Sequence, residues 1–316
     1  MRNPLLSIVI PAFNEEENIA NTARVVGEVM ENARIPYEMI FVSDGSKDTT
    51  FDKVLALAKE DRRIRGLEFS RNFGKEAAMF AGLAAAKGGC VAVMDCDLQH
   101  PPQTIVEMYR KWEEGFEIVE GIKNSRGNES GIYKFFAKTF YKVISAFTGF
   151  DMANTSDFKL LSKNVVDVLL SMPERKTFFR AMSFWAGFKS CQIRYDVAER
   201  AFGTTKWSFF KLVRYGVSNI MAFSTRPLSI VSYIGGISIL AGVVLGVQTL
   251  IHWASGKALE GFTTVILLLL FLGGGILMGL GLIGKYVAAI YEEVKQRPRY
   301  VVRLDTDRLL NRDKGL

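Results

Sequence analysis

The stretch Val91–Pro102, "VAVMDCDLQHPP", decides how this chain is read. An apolar run of strand character leads into two aspartates one residue apart, and two prolines close it. Strand residues i and i+2 point to the same face, so Asp95 and Asp97 aim both carboxylates at one point if the strand persists that far. Two like charges that close are costly without a cation beside them. Oxygen ligands favour Mg²⁺ or Mn²⁺, which keep waters and are completed by substrate phosphates. The other reading is that one aspartate caps the next turn while its neighbour is solvated.

Outward from this strand, short β-rich runs alternate with helical patterns over the first 200 or so residues. "LLSIVIP" predicts a first strand, with Asn14 and Glu17 spaced as the N-cap and capping-box acid of a following helix. "YEMIFVSDGS" and "RIRGLEFS" predict two more strands, followed by the helices "KDTTFDKVLALAKE" and Lys75 to Lys87, and "FEIVEGI" a fifth strand. This alternation argues for an α/β fold, a mostly parallel sheet with helices on both faces. Ligands of such sheets bind beyond the carboxyl ends of the strands. The polar clusters "NEEEN", "SDGSKD", "SRNFGKE" and "DCDLQH" all fall there and outline one site. GxGxxG is absent after the first strand, and no Gly-Lys-Ser/Thr phosphate loop is present, which argues against hydride transfer and P-loop phosphoryl transfer.

The last third is different. Residues 228–251 and 262–284 contain no Asp, Glu, Lys or Arg, and each run exceeds the roughly 20 apolar residues that span a hydrocarbon core. The ten-residue connector from His252 to Gly261 is too short for a domain, so a hairpin is predicted with both flanks on one side. Lys206, Lys211, Arg214 and Arg226 precede it, and Lys285, Lys295, Arg297, Arg299 and Arg303 end or follow it, which places the flanks and the first 205 residues in the cytoplasm. Trp207, Phe209, Phe210, Val213 and Val217 interleaved with Lys211 and Arg214 read as an amphipathic helix on the lipid surface. The net charge of +7 is therefore assigned to anionic lipid, with no nucleic acid as partner. Three cysteines without a CxxC pattern fit a reduced compartment. Gly242-x-x-x-Gly246 and Gly275-x-x-x-Gly279 offer close-packing faces, within the hairpin or between protomers of a homo-oligomer.

Taken together, "VMDCDLQHPP", "SIVIPAFNEEENI", "VSDGSKDTT" and "SRNFGKEAAMFAGL" resemble the family 2 glycosyltransferases of GT-A fold, and the match runs in order through the first 200 or so residues. Within the family the chain is most similar to the polyprenyl-phosphate glycosyltransferases, a group that includes dolichyl-phosphate mannose synthase and bactoprenol glucosyltransferases. The resemblance implies a GT-A domain over 1–205, a juxtamembrane helix over 206–226, two transmembrane helices within 227–291 (about 228–251 and 262–286) and a cytoplasmic tail over 292–316. It implies a multi-pass protein of the inner (plasma) membrane that moves one hexose, with inversion, from a nucleotide sugar to polyprenyl phosphate at the cytoplasmic face. Glucose from UDP-glucose is the first choice; mannose, GlcNAc or an amino-pentose is the alternative. From another class, a catalytically silent membrane partner or a lipid-translocation protein on the same fold remains open.

Carried over residue by residue, the resemblance makes Asp95 and Asp97 ligands of Mg²⁺ or Mn²⁺ and of the donor diphosphate, with Gln99 a further ligand. Pro11, Phe13, Glu15 and Asp44 line the base and ribose pocket, and Arg71 and Lys75 fall in the third loop. Asp44 has a second possible role, as an Asx-turn residue before Gly45. A polyprenyl phosphate is already largely ionised near neutral pH, so its oxygen attacks without losing a proton to the protein. It needs cations beside the donor diphosphate, for which Arg126, Arg200 and Lys206 are the candidates. Asp157 is placed near the reacting centre, as a base or as a group orienting those cations. The QxxRW element of processive synthases is absent, so one sugar per acceptor is expected. Cys96 is expected to point away from the metal.

Overall fold

The computed structural model describes residues 4–124, 155–175, 177–196, 226–255 and 261–312. They divide into two compact units, 1–207 with 297–316, and 208–296.

The first unit is built on β1 (Leu6–Ala12), β2 (Tyr37–Ser43), β3 (Ile64–Phe69) and β4 (Cys90–Val93), with α1 (Ile19–Asn32), α2 (Thr50–Glu60), α3 (Lys75–Ala85) and α4 (Pro102–Glu113) between and after them. β1 pairs in parallel with β2 and β4, and β2 in parallel with β3. Every residue of β1 and β2 is buried, as a strand covered on both faces requires. Gly82 lets α3 lie directly on the sheet: a Cβ there would sit 2.2 Å from Val9 Cγ1.

The predicted parallel sheet is present, extended by strands of the other sense. β5 (Ile118–Lys123), β6 (Lys159–Ser162), β7 (Ser190–Tyr195) and β8 (Val302–Asp305) complete the order β7-β5-β6-β4-β1-β2-β3-β8. β6 runs antiparallel to both β4 and β5, and β8 runs antiparallel to β3. α5 (Lys163–Ser171) and α6 (Phe179–Trp185) follow β6, and α9 (Thr306–Arg312) follows β8. The segment after Arg297 is thus part of the sheet unit: Thr306 Oγ1 accepts the Gly66 N–H at 2.8 Å, Arg303 pairs with Glu68 at 2.8 Å, and Tyr300 stacks on Phe69.

The capping box expected at Asn14 and Glu17 is not formed. α1 begins at Ile19 with Asn18 as its N-cap, and Asn14 adopts a left-handed backbone, φ 54°. Its side chain serves the neighbouring loop instead, Oδ1 accepting the Lys47 N–H at 2.9 Å. Short polar residues tolerate that conformation because they bond locally, and the tertiary partner outcompetes the cap.

The second unit holds α7 (Arg226–Ala254) and α8 (Phe262–Val294). At about 1.5 Å per residue both exceed a bilayer core of ~30 Å, and Pro227–His252 and Phe271–Val294 are long and apolar enough to cross a membrane. Ile237, Leu240, Leu277 and Met278 are exposed, the reverse of a soluble core helix. The two helices pack on each other; a Cβ on Gly279 would meet Val231 Cγ1 at 3.0 Å, while Gly242, Gly246 and Gly275 face nothing within 4 Å among the described residues.

Candidate active site

Four loops leave the carboxyl ends of β1 to β4 side by side, and side chains zip them together. Glu15 N–H donates to Thr50 Oγ1 at 2.9 Å, Thr49 N–H donates to Glu16 Oε2 at 3.1 Å, and Asn14 N–H donates to Ser46 Oγ at 3.1 Å. Pro11 is buried in β1 opposite Val42, whereas Phe13 stands 44% exposed at the mouth. Asp44, buried at the end of β2, accepts the Phe73 N–H at 2.6 Å and the Gly74 N–H at 2.9 Å. Burial still holds its pKa above the usual carboxylate value, against the pull of those two amides. Gly45 is obligatory beside it: its φ is +63°, and a Cβ would lie 2.3 Å from the Arg71 carbonyl carbon. Arg71 lies over the Phe73 ring at 4.3 Å.

β4 ends at Val93, so Asp95 and Asp97 stand on a turn and not on the strand. Leu98 takes φ 55°, and Asp97 Oδ1 accepts the Gln99 N–H at 3.1 Å. Alternation nevertheless survives, because Cys96 sits in the core between two partly exposed aspartates. Thr22 Oγ1 donates to the Cys96 carbonyl at 2.6 Å, and burial pushes the Cys96 thiol up to about 12. His100 supports the turn from beneath. It is stacked on Phe158 at 4.5 Å, and its Nδ1 accepts the Asp95 N–H at 3.2 Å. Burial lowers its pKa, so the ring is neutral and carries its hydrogen on Nε2.

A chain of charge crosses the site. Lys75, the first residue of α3, places Nζ 2.6 Å from Asp95 Oδ1 and 3.3 Å from Asp157 Oδ2. Arg180 of α6 grips Asp157 with both ends of its fork, Nε to Oδ1 at 2.7 Å and Nη2 to Oδ2 at 3.0 Å. Burial alone would raise Asp157, but Arg180 and then Lys75 reverse it and hold the carboxyl well below the usual range. Burial would raise Asp95 as well, and Lys75 reverses it and lowers the carboxyl. Lys75 is raised, the two carboxylates outweighing the desolvation that opposes them. The loop carrying Asp157 is fixed from below by Glu120, which accepts the Ser156 N–H at 2.7 Å and pairs with buried Lys159 at 3.0 Å.

Of the residues expected from sequence, Asp95, Asp97, Gln99, Lys75 and Asp157 meet here, and Pro11, Phe13, Glu15, Asp44 and Arg71 line the adjoining loops. Arg126, Arg200 and Lys206, and the amphipathic segment before Arg226, lie outside the described residues. Sequence reasoning missed Arg180, Glu76 and His100. His100 stood within the decisive motif, but Arg180 lies in "TFFRAMSFW", where nothing marks one arginine as a carboxylate partner.

A sheet of this topology, with a DxD turn at the end of its fourth strand, is that of a glycosyltransferase of GT-A fold. The model for "Glycosyl transferase family 2" matches residues 7–167, and the chain belongs to that family. An uncharacterized glycosyltransferase of Synechocystis is 40% identical over 299 residues, 94% of each chain. The bactoprenol glucosyl transferase of Shigella phage SfII is 37% identical over 303 residues, 94% of this chain and 97% of its own. Among solved structures, glucosyl-3-phosphoglycerate synthase from Mycobacterium tuberculosis, crystallised with Mn²⁺, UDP and phosphoglyceric acid, superposes with a TM-score of 0.51 at 18% identity, over 69% of this chain and 76% of its own. This glycosyltransferase fold is the one expected from sequence.

Proposed function

We propose that the chain transfers one glucose, with inversion, from UDP-glucose to polyprenyl phosphate at the cytoplasmic face of a membrane. The single observation that carries this reading is the unbroken line of charge from Asp95 through Lys75 and Asp157 to Arg180, which joins a diphosphate-binding turn to a second anion-handling centre. The bactoprenol glucosyl transferases at 36–37% identity over nearly the whole chain support the choice of sugar and lipid. Two helices able to span a bilayer support a lipid-borne acceptor and a membrane location, with the flanking arginines and lysines on the cytoplasmic side.

Asp95, Asp97 and Gln99 offer only oxygen donors, the chemistry of Mg²⁺ and Mn²⁺ sites, and an ammonium group already rests against Asp95 as a cation would. When bound, such an ion offsets the negative charge that grows on the departing diphosphate. The Lys75–Asp95 pair is 42% and 35% exposed and so yields readily to substrate. Asp157 is only 14% exposed and stays with Arg180.

The acceptor phosphate oxygen bonds to the anomeric carbon from the face opposite UDP, and the bond from that carbon to the diphosphate oxygen breaks, leaving UDP. The electron pair departs with UDP, and no proton moves to or from the protein. Asp157, ionised far below neutrality, is a weak base, and its role in this reading is to hold Arg180 and Lys75 where two anions meet. Nothing in this scheme requires a second copy of the chain.

The test is purified full-length protein, Mg²⁺ or Mn²⁺, polyprenyl phosphate and a panel of nucleotide sugars. Glucosyl lipid and UDP in equal amounts are expected. A lipid product from another sugar nucleotide but none from UDP-glucose would overturn the donor, and no lipid product from any donor would overturn the acceptor.

A further inference from the structure

Lys75 and Glu76 are neighbours at the start of α3, and Phe179 and Arg180 are neighbours at the start of α6. The two pairs engage each other across the site. While Lys75 and Arg180 hold the two oxygens of Asp157, Glu76 Oε2 accepts the Phe179 N–H at 2.8 Å. α6 is only seven residues long, and its N-cap, Phe178, makes no side-chain cap bond. A helix that short does not stand by itself in water, so outside contacts fix where its first turn lies. Besides the bonds of Arg180 itself to Asp157 and the Thr155 carbonyl, such contacts include Phe179 edge-on to Phe80, Lys159 on Ser183, and Glu76 on the Phe179 amide. Two of these act at Phe179, the residue next to Arg180, and of the two only the Glu76 bond ties down its backbone.

We propose that Glu76 is a positioning residue for the reaction: by accepting the Phe179 N–H it fixes the first turn of α6 and so seats the Arg180 fork on Asp157. A carboxylate is an expensive choice for a structural tie alone. Burial, and then the charge of Asp157, push Glu76 up to about 7, and only the Phe179 amide, Arg180 and Lys75 pull it back. A neutral acceptor would close the same turn more cheaply, so the acid is explained by what it sits among: Asp157, Arg180 and Lys75. The inference rests on the reading that Asp157 belongs to the reacting centre.

The experiment is steady-state kinetics on the full-length protein in detergent, varying donor and acceptor separately, for wild type, Glu76→Ala, Glu76→Gln, Arg180→Lys, Asp157→Asn and the double variant Glu76→Ala/Arg180→Lys. Glu76→Ala should lower kcat about ten- to a hundredfold with donor KM within about twofold, the split expected when an arrangement needed only for the chemical step is lost. Glu76→Gln, whose carboxamide oxygen still accepts from Phe179, should rescue kcat to within about threefold of wild type. In the Arg180→Lys background, where the fork is already gone, Glu76→Ala should cost about twofold or less, because both changes act on one contact. If Glu76→Ala fails to fold, the same cycle runs with Glu76→Asp, which withdraws the carboxylate by one methylene; coupling to Arg180 supports the assignment and independence overturns it. Wild-type kcat in Glu76→Ala while Asp157→Asn and Arg180→Lys are crippled would sink the role of Glu76 alone. Wild-type kcat in Asp157→Asn and Arg180→Lys would sink the reading of Asp157 beneath it.

Discussion

Asp157 meets two opposed conditions at once: it is nearly buried, which disfavours its charge, and it is clasped by Arg180 and touched by Lys75, which restore it. The cations win, which leaves the carboxylate a weak proton acceptor and supports the organising role proposed for it. Asp157→Asn should therefore retain measurable turnover, with a rate that still follows ionisation of the acceptor phosphate. Loss of turnover at every pH with both substrates shown to bind would make Asp157 the base. Asp95→Ala and Asp97→Ala should each abolish transfer while thermal unfolding stays near wild type, since both side chains are partly exposed and neither packs the core. Chelator-resistant activity in both variants would end the metal reading. Glu76 gives a pH signature of its own. Its folded pKa of about 7 lies above that of an exposed glutamate, so the folded state binds the proton more tightly than the unfolded chain. The resulting stability is full below about pH 4.5 and is lost as pH rises through about 7. Glu76→Gln should abolish this loss, its Tm advantage over wild type growing between pH 5 and 7 and then levelling. A constant Tm difference across that range would contradict it.

β1 to β4, with α2 and α3 between them, were legible because a strand buried on both faces has to be written as a nearly continuous apolar run. β6 and β8 were not. "KLLS" and "VRLD" are four residues each, too short to show a period, and their antiparallel sense is fixed by the strands they reach. β8 covers the free edge of β3, the place where an unprotected sheet invites association. Arg65, buried to 13% exposure, is held between Glu38 of β2 and Asp307 of α9. Thr306 is fully buried on the Gly66 N–H, so Thr306→Val, which leaves that donor unpaired, should cost about 1–3 kcal/mol in thermal or denaturant unfolding. Stability equal to wild type would show that the Thr306–Gly66 bond contributes nothing to the fold.

Across the molecule, the sheet unit takes its residues from both ends of the chain, with the two apolar helices inserted between residues 207 and 297. Both halves of that unit must lie on one side of any membrane the hairpin crosses, and the basic flanks favour the cytoplasmic side. Single cysteines placed near Ser255 should react with impermeant reagents from outside the cell, and those near Arg308 only after the membrane is opened. Labelling of both from the same side would defeat the hairpin. The apolar runs, the four parallel strands and the DxD motif were determined by sequence alone, because each depends on neighbours a few residues away: a period, a charge-free length, two acids around one cysteine; that the motif stands on a turn was not. What only the tertiary structure decided was partnership. Arg180 on Asp157, Glu76 on the Phe179 amide, His100 under Asp95 and Thr306 on Gly66 join residues from 5 to 240 positions apart. No local rule selects which of many arginines or acids will meet, because the choice is made by the path of the whole chain and by the burial that makes an unpaired charge costly.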